Sequence, residues 1–431
     1  MSLHSGSRPF LPEFRHAAPT FQRALATSRQ LQAPRWRPAS ALDQWVERPI
    51  RPMSLRQLFF FGRTLTEDRL ISSANYVRNE LPTRIAHRLR DMQKLPYAVV
   101  TNPHLSYVYE LYYKAFESFR KLPNVKTLED NDAMCKIISE NLKEHLSVIP
   151  RMVTGVLECH NLMSADDMDA FVNRSLRARI SRRVIAEQHL ALTETYNSPG
   201  HSPHPSSEHD FVGEVLLRCN AQDIVRDCGQ FAQRVCRDYV QGSKVPEINI
   251  RGHVTATFPY VLSHLEYTIG ELLRNSIQAV MEHYKGSDQP PPIEVLICEA
   301  PSQVVIRISD QGGGIPRDIL PYLWSFNKGP RSQERLASLG QVPALAATMQ
   351  ELKIPGGPDT PRGSSLNQLS FRDPKLRLGM GLPMSKIYAE YWAGGLELHS
   401  LEGYGVDAFL QISKLGNQNE QLTSRASIDA V

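Results

Sequence analysis

Cysteine is scarce in this chain and falls in no pattern. Cys135, Cys159, Cys219, Cys228, Cys236 and Cys298 are the only six in 431 residues, and no two of them form C-x-x-C. A zinc site therefore has no support, and scattered thiols suit a reducing compartment where they stay free and mostly buried. No run of 18 apolar residues occurs, so no segment reads as a membrane-spanning helix. An excess of one charge is also missing: a formal net charge of +4 is too small to argue for nucleic acid as a partner. The phosphate-binding pattern G-x-x-x-x-G-K-[ST] is absent, as are H-R-D and D-F-G, which excludes the ordinary protein-kinase architecture. What is left, 41% hydrophobic and 22% charged, is an ordinary globular composition at a length of two or three domains.

The opening residues differ from the rest. Arg8, Arg15, Arg23, Arg29, Arg35 and Arg37 stand against a single acid, Glu13, among serines, alanines and small hydrophobics. Without an apolar core this is no secretory signal, and residues 1–50 read as a mitochondrial transit peptide and its lead; the plainer alternative is a basic tail. From 54 to 196 the pattern is helical. Tyr76, Ile85, Leu89 and Met92 mark one face of a long segment with a break expected near Pro82, followed by helices over 104–122, 128–163 and 165–196. Four long amphipathic helices with short connections predict an up-down bundle. The Ser/Pro/His-rich stretch 197–209 reads as a linker.

Beyond Asp210 strands enter. Segments 247–250, 293–298, 304–309, 396–400 and 406–412 are β-branched or alternating, with helices expected at 221–239, 259–284 and 382–392. Over residues 210–415 this predicts an α/β sandwich, a sheet with helices on one face, so the whole chain is α+β. Residues 327–378 are irregular and rich in Gly and Pro, and their position between two glycine motifs suggests a lid. Residues 416–431 form a tail.

The helix expected around His264 to Asn275 carries the chemistry. Leu265, Ile269, Leu272 and Leu273 repeat at three and four, giving it one apolar face. Glu271 and Asn275, four apart, stand one turn above each other, and an acid and an amide so stacked can hold a divalent metal and orient a nucleophile. The bland alternative is a solvated helix face. Asp310 ends the strand Val304 to Ser309 and precedes Gly312 and Gly314, which can adopt positive φ and let a backbone approach a ligand closely. A carboxylate there can accept a hydrogen bond from an adenine amino group; a tight turn capped by Asp is the alternative. Gly379 and Gly381 open a helix whose free N–H groups can bind phosphate, or else form a flexible entry loop.

In this order, Glu271…Asn275, Asp310-x-Gly312-x-Gly314 and Gly379-x-Gly381 resemble the nucleotide boxes of the superfamily joining gyrase, heat-shock chaperone, histidine-kinase and mismatch-repair ATPases. More closely, the chain resembles the mitochondrial kinases of the 2-oxo-acid dehydrogenase complexes. The stretches that carry this are ELPTRIAHRLRDMQKLPY (80–97), NPHLSYVYELYYKAF (102–116), GHVTATFPY (252–260), ELLRNSIQAVMEHY (271–284), IRISDQGGGIP (306–316) and GLPMSKIYAEYWAGGLELHSLEGYG (381–405). The resemblance implies a four-helix bundle followed by an ATP-binding domain of the histidine-kinase-like type. It implies ATP and Mg²⁺ as cofactors, with Asn275 as metal ligand and Glu271 as the base that takes the proton of a substrate serine. Asp310 reads the adenine amino group beside Gly312 and Gly314, while Gly379 and Gly381 cradle the phosphates. Positioning and charge neutralisation are most of what phosphoryl transfer requires.

The implied activity is that of a mitochondrial-matrix serine kinase inactivating a dehydrogenase catalytic subunit. Its implied partners are that subunit, the lipoyl domains of the acyltransferase core and a second copy of the chain. The pyruvate enzyme stands first, because most such kinases act on it. LEYTIGELLRN (265–275) and the lack of an Asp-Trp tail motif lean toward the branched-chain enzyme. That lack also argues against a tail-exchanged dimer. Val406 stands where these kinases usually carry Thr, which predicts weaker nucleotide binding without its loss. A non-kinase ATPase and a catalytically silent scaffold are the competing classes; the first needs a longer coupling domain, and intact Glu271 and Asn275 oppose the second. His87 lacks the acid and proline of a phosphoacceptor box, so it and His189 read as ordinary helix histidines.

Overall fold

A computed structural model describes residues 39–198, 211–237, 244–329, 336 and 379–423. Most of the stretch expected as a transit peptide, and nearly all of the expected linker and lid, lie outside these residues. The chain divides into a unit of Met1–Asp43, whose described part opens the helix Ala39–Val46, and a compact unit of Gln44–Val431 that carries everything below.

The first part of the compact unit is helical: α1 (Leu55–Gly62), α2 (Glu67–Gln93), α3 (Pro103–Arg120), α4 (Leu128–Glu144), α5 (Val148–Glu158) and α6 (Ala165–Asn197). Their starts follow from the sequence. Thr66 caps α2 ahead of Glu67 and Asp68, and Thr127 forms a capping box with Asp130 on α4, satisfying N–H groups a helix start leaves open. Three expectations fail. The break at Pro82 is absent, and α2 runs straight through it. An interior proline costs about 3 kcal/mol, but Glu80 to Ala86 are buried without interruption, and packing of that turn outweighs the lost bond. Conversely, the single helix expected over 128–163 is two, parted by a tight turn at His145–Ser147. Pro150 has no N–H to give Leu146 and its ring crowds that carbonyl, so the helix restarts. Nor is α6 amphipathic: from Ser175 to Arg183 every residue is buried, so it is the axis about which α2, α4 and α5 pack.

The second part contains two sheets. Three short strands, β1 (Phe211–Val212), β2 (Val215–Asn220) and β4 (Thr257–Val261), make a small antiparallel sheet that the sequence pattern did not announce. Pro259 to Val261, expected as helix, belong to β4. The main sheet orders β3 (Ile248–Gly252), β5 (Ile293–Glu299), β6 (Gln303–Asp310), β8 (Gly405–Ser413) and β7 (Gly395–Leu401), with only β3 and β5 parallel. The register aligns Val295, Ile297, Val304, Ile306, Ile308, Ala408, Leu410 and Ile412 on one buried face. Against that side of the unit pack α7 (Ala221–Cys236), α8 (Leu262–His283) and α9 (Gly381–Tyr391). Strand period two then decides where the chemistry emerges: Asp310 follows Ile308 by two and points to the helix-covered face.

The described start of the tail, residues 416–423, packs back onto the unit. Gly416 O accepts from Arg56 N–H, Asn419 bridges Ser54, and Glu420 is buried, accepting from Met53 N–H and the Tyr391 hydroxyl and pairing with Arg84 at 2.6 Å. Arg84 also meets Glu80, Ser181 and the Arg51 carbonyl. One carboxylate thereby joins α2, the end of α9 and the segment before α1.

Candidate nucleotide and phosphoryl-transfer site

Four apolar residues hold α8 against the sheet. Leu265, Ile269, Leu272 and Leu273 are all buried, as the period predicts. Glu271 is not on a solvated face: it is 3% exposed, and Asn275, one turn on, is half-buried. The Glu271 carboxylate is ion-paired at 2.5 Å with Arg274, three residues along the same helix. Burial pulls the Arg274 guanidinium down, but the charge and hydrogen bond of Glu271 outweigh it and hold the group above its ordinary value. Gly381, the first residue of α9, lies directly against this pair. A β-carbon there would stand 2.2 Å from Glu271 Oε2 and 3.8 Å from Arg274 Nη2. The acid of α8 and the second glycine of Gly379-x-Gly381 are therefore neighbours, although 110 positions separate them.

Asp310, at the end of β6, lies beside the next turn of α8, where Ser276 reaches it. Ser276 Oγ donates to its Oδ2 at 2.8 Å and Gly312 N–H to its Oδ1 at 2.9 Å. Burial pushes its carboxyl above the usual value and these hydrogen bonds draw it back. A carboxylate offers about four acceptor positions, so these two donors leave acceptor capacity for a ligand N–H. The turn after Asp310 is forced by contact on two sides. Gly314 has φ +74 and a β-carbon there would lie 2.3 Å from Leu401 O. Gly312 departs from expectation: its φ is not positive, and it is required because a β-carbon would lie 2.5 Å from Ala279 Cβ on α8. Gly379 has φ +67, a turn into α9 that a side chain disfavours.

Sequence reasoning missed three residues of this arrangement. Arg274 stands three after Glu271, the spacing of a helix ion pair. Ser276 adjoins Asn275, yet only the sheet brings it to Asp310. Gly405 is fixed by Asp310 from across the ladder, since a β-carbon would lie 1.9 Å from Asp310 O. Both histidines considered above lie elsewhere, on α2 and α6. His87 Nε2 meets the Arg48 carbonyl at 2.9 Å, and His189 Nδ1 meets Ser73 Oγ at 3.1 Å.

A five-stranded sheet covered on one face, a helix with a buried acid and an amide, and two glycine turns define a nucleotide-binding protein of the histidine-kinase-like ATPase class. Comparison with known proteins narrows this. Residues 52–216 match the family model of the mitochondrial branched-chain alpha-ketoacid dehydrogenase kinase. [Pyruvate dehydrogenase (acetyl-transferring)] kinase 2, mitochondrial, of Saccharomyces cerevisiae is 34% identical, across 88% of this chain and 85% of that protein. The mitochondrial pyruvate dehydrogenase kinase of Arabidopsis thaliana is 32% identical, across 86% and 92%. Isozyme 4 of Mus musculus is 28% identical, across 85% and 82%. The chain belongs to the mitochondrial 2-oxo-acid dehydrogenase kinase family, and is an ATP-using protein kinase of the mitochondrion.

Proposed function

We propose that the chain phosphorylates a serine of the pyruvate dehydrogenase catalytic subunit in the mitochondrial matrix and so inactivates it. The observation that carries this reading is the meeting of Glu271 with Gly381: a buried carboxylate lies beside the start of a helix whose unsatisfied N–H groups suit a phosphate. Glu271 takes the serine proton as the serine oxygen bonds to the γ-phosphorus, and the bond to the departing ADP oxygen breaks. Asp310 holds the adenine amino group, with Gly312 and Gly314 shaping the turn beside it. Gly379 and Gly381 cradle the phosphates. No group of three or more His, Cys, Asp or Glu among the described residues forms a metal cage. Asn275 would hold Mg²⁺ together with phosphate oxygens and water, and the ion would neutralise charge on the phosphates.

Residues 54–196, as a helical domain, dock a lipoyl domain of the acyltransferase core, which raises the local concentration of the substrate over residues 210–415. Residues 1–50 direct the chain to the matrix; fused to a fluorescent reporter they give a matrix signal, and a cytosolic one would refute this. The pairing of Glu420 with Arg84 of the same chain supports a homodimer without tail exchange.

Labelled ATP with purified dehydrogenase subunits tests the activity. The expected result is phosphoserine on the pyruvate enzyme, abolished by Glu271→Gln. Substantial turnover in that variant would refute the base, and hydrolysis without phosphoprotein would refute the kinase reading. The branched-chain family model matching residues 52–216 favours a second substrate, the branched-chain dehydrogenase. Label on that enzyme alone would reverse the order.

A further inference from the structure

Arg274 has no role in the reading above, yet it occupies the centre of the site. Its guanidinium is 14% exposed, bound to the 4%-exposed carboxylate of Glu271 and close to Gly381. Its Nε has no hydrogen-bond partner among the described residues. A base bonded to a guanidinium is a poor base, because the pair stabilises the ionised carboxylate. A guanidinium this close to a phosphate-binding turn also has a better partner whenever a polyphosphate is present.

We propose that Arg274 exchanges partners: without nucleotide it holds Glu271, and ATP draws it onto the terminal phosphate, freeing Glu271 to act as base. The inference rests on the assignment of Glu271 and Gly381 made under the proposed function. It makes Arg274 a specificity residue as well, since ADP lacks the phosphate that pulls it away. The base is then uncovered only when there is a phosphoryl group to transfer. The start of the glycine turn is within reach of the same side chain: a β-carbon on Gly381 would lie 3.8 Å from Arg274 Nη2.

Equilibrium binding of ATP and of ADP to the full chain, in one magnesium buffer, tests this without measuring activity. Glu271→Gln removes the competing carboxylate, so ATP is expected to bind several-fold more tightly while ADP is unchanged. Arg274→Met is expected to weaken ATP about tenfold or more, the scale of a charge-assisted hydrogen bond, and to collapse the preference for ATP over ADP. Arg274→Lys keeps part of that preference. In the Glu271→Gln/Arg274→Met double variant the gain from Glu271→Gln disappears. A gain that persists there reflects relief of charge repulsion and overturns the exchange, as does equal weakening of ATP and ADP by Arg274→Met. Should Arg274→Met fail to fold, Arg274→Lys and Glu271→Gln still decide it: ATP binding by Glu271→Gln no tighter than by the unaltered chain sinks the proposal. Failure of the unaltered chain to bind either nucleotide refutes the nucleotide site itself, a separate outcome.

Discussion

Val406 faces Asp310 across the β6–β8 ladder, but its side chain has no donor to offer a ligand. Val406→Thr supplies one in nearly the same volume. Titration calorimetry is expected to show ATP binding about 2- to 10-fold tighter, the equivalent of 0.5–1.5 kcal/mol for one neutral hydrogen bond. Asp310→Asn removes the charge of the acceptor and is expected to weaken ATP about tenfold or more. The pH dependence has a definite sign. Burial raises the Asp310 carboxyl above its ordinary value, so it protonates earlier on acidification than a free aspartate, and nucleotide affinity falls as it does. In Asp310→Asn that acidic limb is absent. Glu271, Asn275 and Asp310 were singled out by spacing only together with the glycine motifs that follow them, since the Glu-Asn pair by itself reads equally as a solvated face. Ser276 could not be picked out, because its partner is 34 residues away and only strand β6 carries it there.

At the scale of elements, the close packing of the start of β8 against the end of β6 sets the next expectation. Gly405→Ala places a methyl within bonding range of the Asp310 carbonyl, which is backbone and cannot step aside. The expected effect is a loss of about 1–3 kcal/mol of stability, the usual cost of overpacking, with weakened ATP binding; thermal unfolding with and without ATP measures both. Helix α8 was legible because four leucines and isoleucines keep its period and both neighbours of Glu271 are apolar. Strand β4 was not, since Pro259 and the aromatic residues around it read equally as a helix start until β2 pairs with them. The proline at 82 was read as a break that packing overrides, whereas the one at 150 was passed over although a break stands just before it. Proline fixes a local cost, and whether a helix continues depends on how much packing the surrounding helices return.

Across the whole molecule, buried ionisable groups couple stability to pH and to the tail. Burial, reinforced by neighbouring guanidinium groups at two of the sites, lowers His145 and His264 to about 3; burial lowers His189 to about 4. These folded values lie below the ordinary 6.5, so the stability they contribute is complete above 6.5 and is lost as pH falls toward the folded values. Each histidine removes about 1.4 kcal/mol per pH unit across that window. Denaturation midpoints at pH 7.5 and 5 are expected to differ steeply, and coincident midpoints would refute burial of the neutral forms. Glu420→Ala leaves Arg84 buried with Glu80 as its remaining acid, and a loss of about 3–5 kcal/mol is expected. Denaturant unfolding of that variant, and of a chain ending at Leu415, checks whether the tail staples the helical part to α9. Equal stability of all three chains would refute it.

The sequence by itself determined the helix that bears Glu271 and Asn275, the five strands of the main sheet and the order of the two glycine motifs. Those depend on periodicity and on residue types whose conformational limits are local. Only the tertiary structure decided that Glu271 is buried and paired, that Gly312 is required by Ala279 and not by its own φ, and that a C-terminal glutamate closes on Arg84. These facts are set by contacts between residues far apart in the chain. No local pattern encodes them, because the free energy of burying a charge depends on the partner that folding brings to it.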